Sequence, residues 1–256
     1  MDICTAMYHR VSDDVFETFL RTFRKVSGAH LQVYTDNVPL GLQKKWSNDY
    51  QVVWVNIESM KGKRCYVKMQ AVRSALSKCK DGDRIIVSDV DTYYLADPFL
   101  AFSKLDYQQN LAHDNHGTCN FDIGVTLRLH SYKFPVNSGV FFINVNKKSR
   151  ESFDYFDVYA EDHKNSWDWF VDQDFINFLY ECGEAVDVGW EYNFCPNTDY
   201  FGVDKAADMI KRAYESKSVK VLHLKSELKM CIYEGFLEDA VTKHLKGGWD
   251  WRKEGA

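Results

Sequence analysis

Two carboxylates one residue apart close an apolar run in the segment Arg84-Ile-Ile-Val-Ser-Asp89-Val-Asp91-Thr-Tyr-Tyr-Leu-Ala-Asp97-Pro98. Side chains two apart in an extended chain face the same way, so the oxygens of Asp89 and Asp91 can converge on one hard divalent cation. A bare Asp-x-Asp arises often by chance. Its place after an apolar strand and before a Leu-x-Asp-Pro turn is what makes it a metal candidate. The seven cysteines are scattered and contain no Cys-x-x-Cys pair, which argues against a zinc or redox centre and for reduced thiols in a cytoplasmic setting.

The elements that must hold these carboxylates follow from hydrophobic period. Ile3 to Met7 reads as a buried strand, and Ser12 can cap a helix whose apolar face is Val15, Phe16, Phe19, Leu20 and Phe23. Strands are expected at His30 to Tyr34, which leads into Thr35-Asp36-Asn37, and at Gln51 to Val55. A helix is expected over Tyr66 to Lys78, and the Lys80-Asp81-Gly82-Asp83 turn feeds the strand Arg84 to Ser88. This β-α-β alternation predicts an α/β fold with a mainly parallel sheet flanked by helices. Ligands bind outside the carboxyl ends of such strands, and Tyr8, Asp36 and Asp89 stand at those ends. The later chain is less regular. Strands are expected at Ile123 to Arg128 and Val136 to Val145, and helices near Arg150 to His163, Asp172 to Glu181 and Ile232 to Lys246. The four prolines are dispersed and no linker or repeat interrupts the chain, so one domain over 1–256 is expected.

Phosphatases of the haloacid-dehalogenase type also end a strand in Asp-x-Asp, but they require a hydroxyl one residue beyond Thr92 and carry the motif near the chain start. The segment from Asp89 to Pro98 resembles instead the Asp-x-Asp region of nucleotide-diphospho-sugar glycosyltransferases of the GT-A fold, particularly the retaining families 8 and 77. Three further segments agree in order. Phe134-Pro-Val-Asn137-Ser138-Gly139-Val-Phe-Phe-Ile-Asn resembles their strand entry, Val171-Asp172-Gln173-Asp174-Phe-Ile-Asn177 their Asp-Gln-Asp helix start, and Val221-Leu-His223-Leu-Lys225 their late metal-binding strand. The resemblance covers nearly the whole chain.

It implies a metal-dependent transferase that takes a sugar from a nucleoside diphosphate, with UDP the expected nucleoside diphosphate, to a saccharide or glycan acceptor with retention. Asp89, Asp91 and His223 would hold Mn²⁺ or Mg²⁺, the imidazole nitrogen favouring Mn²⁺. Thr5, Ala6 and Tyr8 would border the base, though a tyrosine packed in the core looks identical in sequence. Asp36 would accept a hydrogen bond from the base or serve as a turn residue. Lys68, with Arg64 and Lys63 as rivals, would approach the nucleotide, and Lys225 the diphosphate. Asn137, Ser138 and Gly139 would border the donor sugar, glycine allowing close backbone approach. Asp172, Gln173 and Asp174 are the catalytic candidates, although acidic residues also stabilise a helix start. Residues 1–105 would form the nucleotide-binding half and 106–256 the acceptor and catalytic half.

Trp167, Trp169, Phe170, Trp190 and Tyr192 could stack on sugar rings or fill the core. His113-Asp114-Asn115-His116 reads as a loop near the acceptor cleft, since four adjacent side chains seldom converge on one ion. The net charge of −5 argues against a nucleic-acid partner, and no apolar run is long enough to span a membrane; the chain is expected to be soluble. Two other functions are possible on paper. A nucleotidyltransferase would need a glycine-rich loop after the first strand, where Ala6-Met7-Tyr8-His9-Arg10 has none; a non-catalytic sugar-binding module would not require intact Asp-x-Asp and Asp-Gln-Asp motifs.

Overall fold

Alternating side chains along short strands separate two covered faces of a central sheet. A computed structural model describes residues 1–8, 12–36, 38–57, 64–103, 121–128, 135–163, 171–225 and 228. The expected helix over 232–246, the 113–116 loop, Trp167, Trp169, Phe170 and Lys63 lie outside the described residues. The strands are β1 (Asp2–Tyr8), β2 (His30–Thr35), β3 (Val52–Asn56), β4 (Arg84–Ser88), β5 (Thr92–Tyr94), β6 (Ile123–Val125), β7 (Val140–Asn144), β8 (Ala185–Asp187) and β9 (Val221–His223). Seven of them form one sheet in the order β3-β2-β1-β4-β7-β6-β8, while β5 and β9 make a separate antiparallel ribbon. The first four sheet strands run parallel, and β7 runs antiparallel to β4 and to β6. The mixed, mainly parallel sheet expected from the sequence is what forms.

The helices are α1 (Asp13–Val26), α2 (Leu40–Tyr50), α3 (Arg64–Lys78), α4 (Lys147–Asp154), α5 (Phe156–Asp162), α6 (Val171–Glu181), α7 (Thr198–Phe201) and α8 (Val203–Ser216). By backbone contacts the chain divides into two compact units. One comprises Met1–His9, Ala29–Asp89 and Phe99–Gly189; the other comprises Arg10–Gly28, Val90–Pro98 and Trp190–Ala256.

In the first unit, Ile3, Ile85, Val87, Phe141, Ile143 and Ile123 point to one face of the sheet. They pack with Met69 and Val72 of α3, Phe153 of α4, Phe156 of α5 and Phe175 of α6. The opposite face carries Tyr8, Trp46 of α2 and Trp54 of β3, ring against ring. In the second unit α1 begins at Ser12, whose side chain accepts a hydrogen bond from the Val15 amide, and its buried Phe19 and Phe23 meet Tyr94 of β5 edge-on. Tyr93 and Leu222 of the ribbon pack with Ala206, Ala207 and Ile210 of α8.

Three boundaries differ from the sequence expectation, each for a local reason. The strand expected from Val136 begins only at Val140, because the Asn137 side-chain oxygen accepts from the Gly139 amide and holds a turn there. The strand expected to reach Arg128 stops at Val125, after which Leu127 makes an isolated bridge to Val136. The helix expected near Arg150 starts earlier, at Lys147, because Asn146 and Ser149 form a reciprocal cap, and it divides at Tyr155 into α4 and α5. Helix α2 has no counterpart in the sequence reading, since only Gln43 and Trp46 of it are buried and no apolar stripe marks it.

Gly124 in β6 leaves no room for a side chain: a Cβ there would lie 2.5 Å from Val188 Cγ1 and 2.7 Å from the Phe121 ring. Gly124→Ala is therefore expected to destabilise the fold by about 1–3 kcal/mol. Urea unfolding of the variant checks this, and an unchanged midpoint would contradict the packing described.

Candidate functional site

Helix α3 carries a lysine into the interior at the carboxyl end of the sheet. Lys68 is 6% exposed. Its Nζ lies 2.7 Å from Asp89 Oδ1, 2.7 Å from the Ser138 carbonyl oxygen and 3.4 Å from Asp172 Oδ2. An ammonium buried this deeply is tolerable only with such partners, so the lysine joins the residue after β4, the turn before β7 and the start of α6. The Asp89 amide also donates to the Gly139 carbonyl oxygen at 2.7 Å, which continues the β4–β7 pairing to the strand's end.

The Asp-Gln-Asp segment opens α6, and its three side chains part company. Ser138 Oγ donates to Asp172 Oδ2 at 3.2 Å, while Asp172 Oδ1 has no partner among the described residues. Gln173 is held at both ends of its amide. Its Oε1 accepts from Arg128 Nη2 (2.9 Å) and Ser138 N (3.0 Å) and shares the single Ser138 hydroxyl proton with Asp172 at 3.2 Å, and its Nε2 donates to the Val136 carbonyl oxygen at 2.6 Å. Asp174, two positions on, is turned roughly 200° around the helix. It hydrogen-bonds with Tyr159, whose phenol is held well above its ordinary pKa by burial and then by that carboxylate.

The second unit supplies the remaining ligand candidates. His223 at the end of β9 is fully buried, with Nδ1 3.0 Å from Asn193 Oδ1 and Nε2 3.2 Å from Asp91 Oδ1. The pairing of β5 with β9 sets this contact, because Thr92 lies opposite His223 and the Asp91 carbonyl accepts from the Leu224 amide. Asp89 is tied to Asp91 through Val90 alone. Asp91 and His223, both in the second unit, each offer one ligand atom, and Asp89 stands two positions before Asp91 in the chain. Carboxylate oxygens and an imidazole nitrogen are the donor types that suit a divalent cation of the Mn²⁺ or Mg²⁺ kind.

The other expected site residues take varied positions. Thr5 and Ala6 are buried within β1, and Tyr8 at its end is buried with its ring 6.1 Å from Trp46. Asp36 is half-buried in the bend after β2, and Lys225 is half-buried two residues beyond β9. Asn137, Ser138 and Gly139 form the turn that Lys68, Asp172 and Gln173 grip. Of the aromatic candidates, Tyr192 is buried and its phenol is pushed up to about 12 by burial, with Glu191 and Asp97 adding to the rise; Trp190 is exposed and meets Phe194 edge-on. Two residues escaped the sequence reading. Arg128 braces Gln173 and the Val136 carbonyl, and Asn193 holds His223. Their partners are remote in sequence, and no motif announces either.

Comparison with known proteins gives a consistent picture. A family model described as nucleotide-diphospho-sugar transferase matches residues 39–226. Comparison with curated proteins finds no match. Among solved structures, the apo form of the glycosyltransferase GlyE from Streptococcus pneumoniae TIGR4 aligns over 98% of this chain at 14% identity, with a TM-score of 0.58. This chain spans 61% of that GlyE chain. The galactosyltransferase LgtC, solved with donor and acceptor sugar analogs, aligns over 99% of both chains at 15% identity, with a TM-score of 0.57. At these identities the likeness is one of fold.

The lysine at the junction gives a direct test. Lys68→Met leaves the buried Asp172 and the half-buried Asp89 without their cation, and is expected to destabilise the fold by about 3 kcal/mol. Denaturant unfolding at neutral pH measures it; a change under about 1 kcal/mol would mean the carboxylates find other partners.

Proposed function

We propose, for a chain that belongs to the nucleotide-diphospho-sugar transferase family, that it transfers a sugar from a UDP-sugar to a hydroxyl of a saccharide or glycan acceptor, with retention and with Mn²⁺ or Mg²⁺ bound. The observation that carries this reading is the meeting of the buried His223 with Asp91, 3.2 Å apart, in the segment that Asp89 leads into. When bound there, the cation supplies stabilisation of negative charge on the departing diphosphate. Both compact units serve one catalytic domain in this reading, with nucleotide contacts drawn mainly from 1–105 and sugar and acceptor contacts from 106–256. The cytoplasmic placement expected from the scattered cysteines goes with it. Among the described residues no helix is long and apolar enough to cross a membrane.

The chain's own residues divide the work. Asp91 and His223 are the direct ligands, and Asn193 holds the imidazole so that Nε2 faces Asp91. Asp89 shares the ion and touches the ribose, its carboxylate oriented by Lys68. Thr5, Ala6, Tyr8 and Asp36 receive the base, and Lys225 the diphosphate. Asn137, Ser138 and Gly139 border the donor sugar.

In the transfer step the bond between the sugar's anomeric carbon and the phosphate oxygen breaks, and its electron pair leaves with the diphosphate. The acceptor oxygen bonds to that carbon from the same face, and its proton passes to the departing phosphate oxygen. Asp172 is the carboxylate assigned to stabilise positive charge on the sugar, because its Oδ1 has no partner among the described residues. Gln173, bonded to Ser138, Val136 and Arg128, is assigned to position the 136–139 turn, with Arg128 bracing it. Asp174, bonded with Tyr159, sets the orientation of α6.

Calorimetric titration of UDP- and GDP-sugars, with and without Mn²⁺, tests the reading. Mn²⁺-dependent binding of a UDP-sugar, abolished by Asp91→Ala and weakened about 10–100-fold in its metal requirement by Asn193→Ala, is expected. Asp172→Asn should retain donor binding while lowering kcat by about 10²–10³-fold. Failure of every sugar nucleotide to bind in either metal state would overturn the assignment, and donor binding without turnover on any glycan would indicate a binding module.

A further inference from the structure

The β5–β9 ribbon has two ends. At one, Asp91 meets His223. Beyond the other, where Tyr94 pairs with Val221, the ribbon's extensions and the last turns of α1 and α8 enclose a cavity of about 500 Å³, all within the second unit. The separation from Tyr94 back to Asp91 is three residues of extended chain, about 10 Å.

The cavity's walls are pinned. The Leu95 and Ala96 amides both donate to the Lys220 carbonyl oxygen, at 2.9 and 3.3 Å. Thr22 Oγ1 of α1 accepts from the Tyr94 amide at 3.3 Å while donating to the Thr18 carbonyl oxygen at 2.9 Å. Lys217 ends α8 in the left-handed conformation with φ of 53°, its amide bonded to Tyr214 O. Glycine is the ordinary residue at such a helix end, so a lysine there accepts backbone strain.

The lining chemistry is one-sided. Lys25, Lys217 and Lys220 line the cavity together with Tyr93, Tyr94 and Tyr214, and no carboxylate lines it among the described residues. Lysines at helix C-termini commonly complement the helix dipole, which accounts for Lys25 and Lys217. It does not account for Lys220, which precedes β9, nor for the gathering of three cations around one cavity in a chain whose net charge is −5. Ammonium groups act as point charges suited to a phosphate, whereas a planar carboxylate is better matched by the arginine fork, and among the described residues no arginine lines this cavity. Tyr214, half-buried, offers a flat apolar ring face to a ring-shaped body, whereas the Tyr93 and Tyr94 rings are packed in the core. The volume lies in the range of small-molecule pockets, roughly 300–1,000 Å³.

We propose that this cavity is a binding site for a small phosphate monoester carried on a ring, separate from the Asp91 and His223 pair. Phenyl phosphate and glucose 1-phosphate are the probes, titrated calorimetrically into the whole chain in EDTA so that no divalent cation recruits phosphate elsewhere. Saturable binding of one or both is expected, phenyl phosphate alone indicating an aromatic body and glucose 1-phosphate alone a sugar. The affinity should fall at least ~10-fold in Lys217→Ala/Lys220→Ala, stay unchanged in Asp91→Asn, and weaken as salt rises. The Tyr214 ring signals in NMR spectra of the wild-type chain should shift during the same titration, a readout that needs no variant to fold. Absence of binding by both probes, unmoved tyrosine signals, binding that survives the double lysine change, or loss of binding in Asp91→Asn would each overturn the proposal.

Discussion

The candidate site depends on one ammonium group. Lys68 is enclosed by protein and cannot keep its charge without carboxylates and a carbonyl at short range. Its requirement fixes where three other segments go: the end of β4, the turn before β7 and the first turn of α6 must all present oxygen to the same point. The hydrogen bonds of Ser138, Gln173 and Arg128 then follow as a second tier that keeps those oxygens in place. Arrangement and charge are thus coupled. The edge of the sheet already holds one buried cation, and the Asp89 carboxylate is oriented by it.

The reversal of β7 makes this possible. Val140 pairs with Ser88, so the entrance of β7 stands beside the exit of β4. Were β7 parallel, the Asn137-Ser138-Gly139 turn would lie at the opposite edge of the sheet, about 17 Å away over five residues. One antiparallel strand in a mainly parallel sheet therefore brings a turn, with its exposed amides and carbonyls, to the edge where the parallel strands end. That is also the edge where the order of β1 and β4 departs from sequence succession, the usual place for a ligand crevice.

How much of this was legible before the fold was known varies with distance along the chain. Asp89 and Asp91 stood out because two carboxylates close an apolar strand, although the chain bends at Val90 and Asp91 and neither aspartate lies in a strand. Strand positions β1 to β4 were readable to within a residue or two from apolar alternation. His223 and the Asp-Gln-Asp helix start came from resemblance, since nothing local ties them to Asp89. Arg128 and Asn193 were not readable at all: each acts on a partner 45 or 30 positions away, and an isolated arginine or asparagine carries no periodic signal. Asp174 shows the limit of pattern matching. Its place in the motif is the expected one, yet the helical turn of about 100° per residue sends it to Tyr159, away from Asp172. Helix α2 was silent for the related reason that Gln43 and Trp46 alone are buried on it.

The second unit is drawn from three separated stretches of chain, and its ribbon pairs Thr92 with His223. During synthesis α1 emerges early, bearing Phe16, Phe19, Leu20 and Phe23, all fully covered in the finished fold. Tyr94 can meet them soon afterwards, but β9 and the apolar side of α8 arrive only after most of the chain has left the ribosome. Long-range closure of this kind is slow, and unpaired strand edges attract wrong partners while they wait. The contact of Asp91 with His223 is consequently among the last to be assembled, later than that of Lys68 with Asp89.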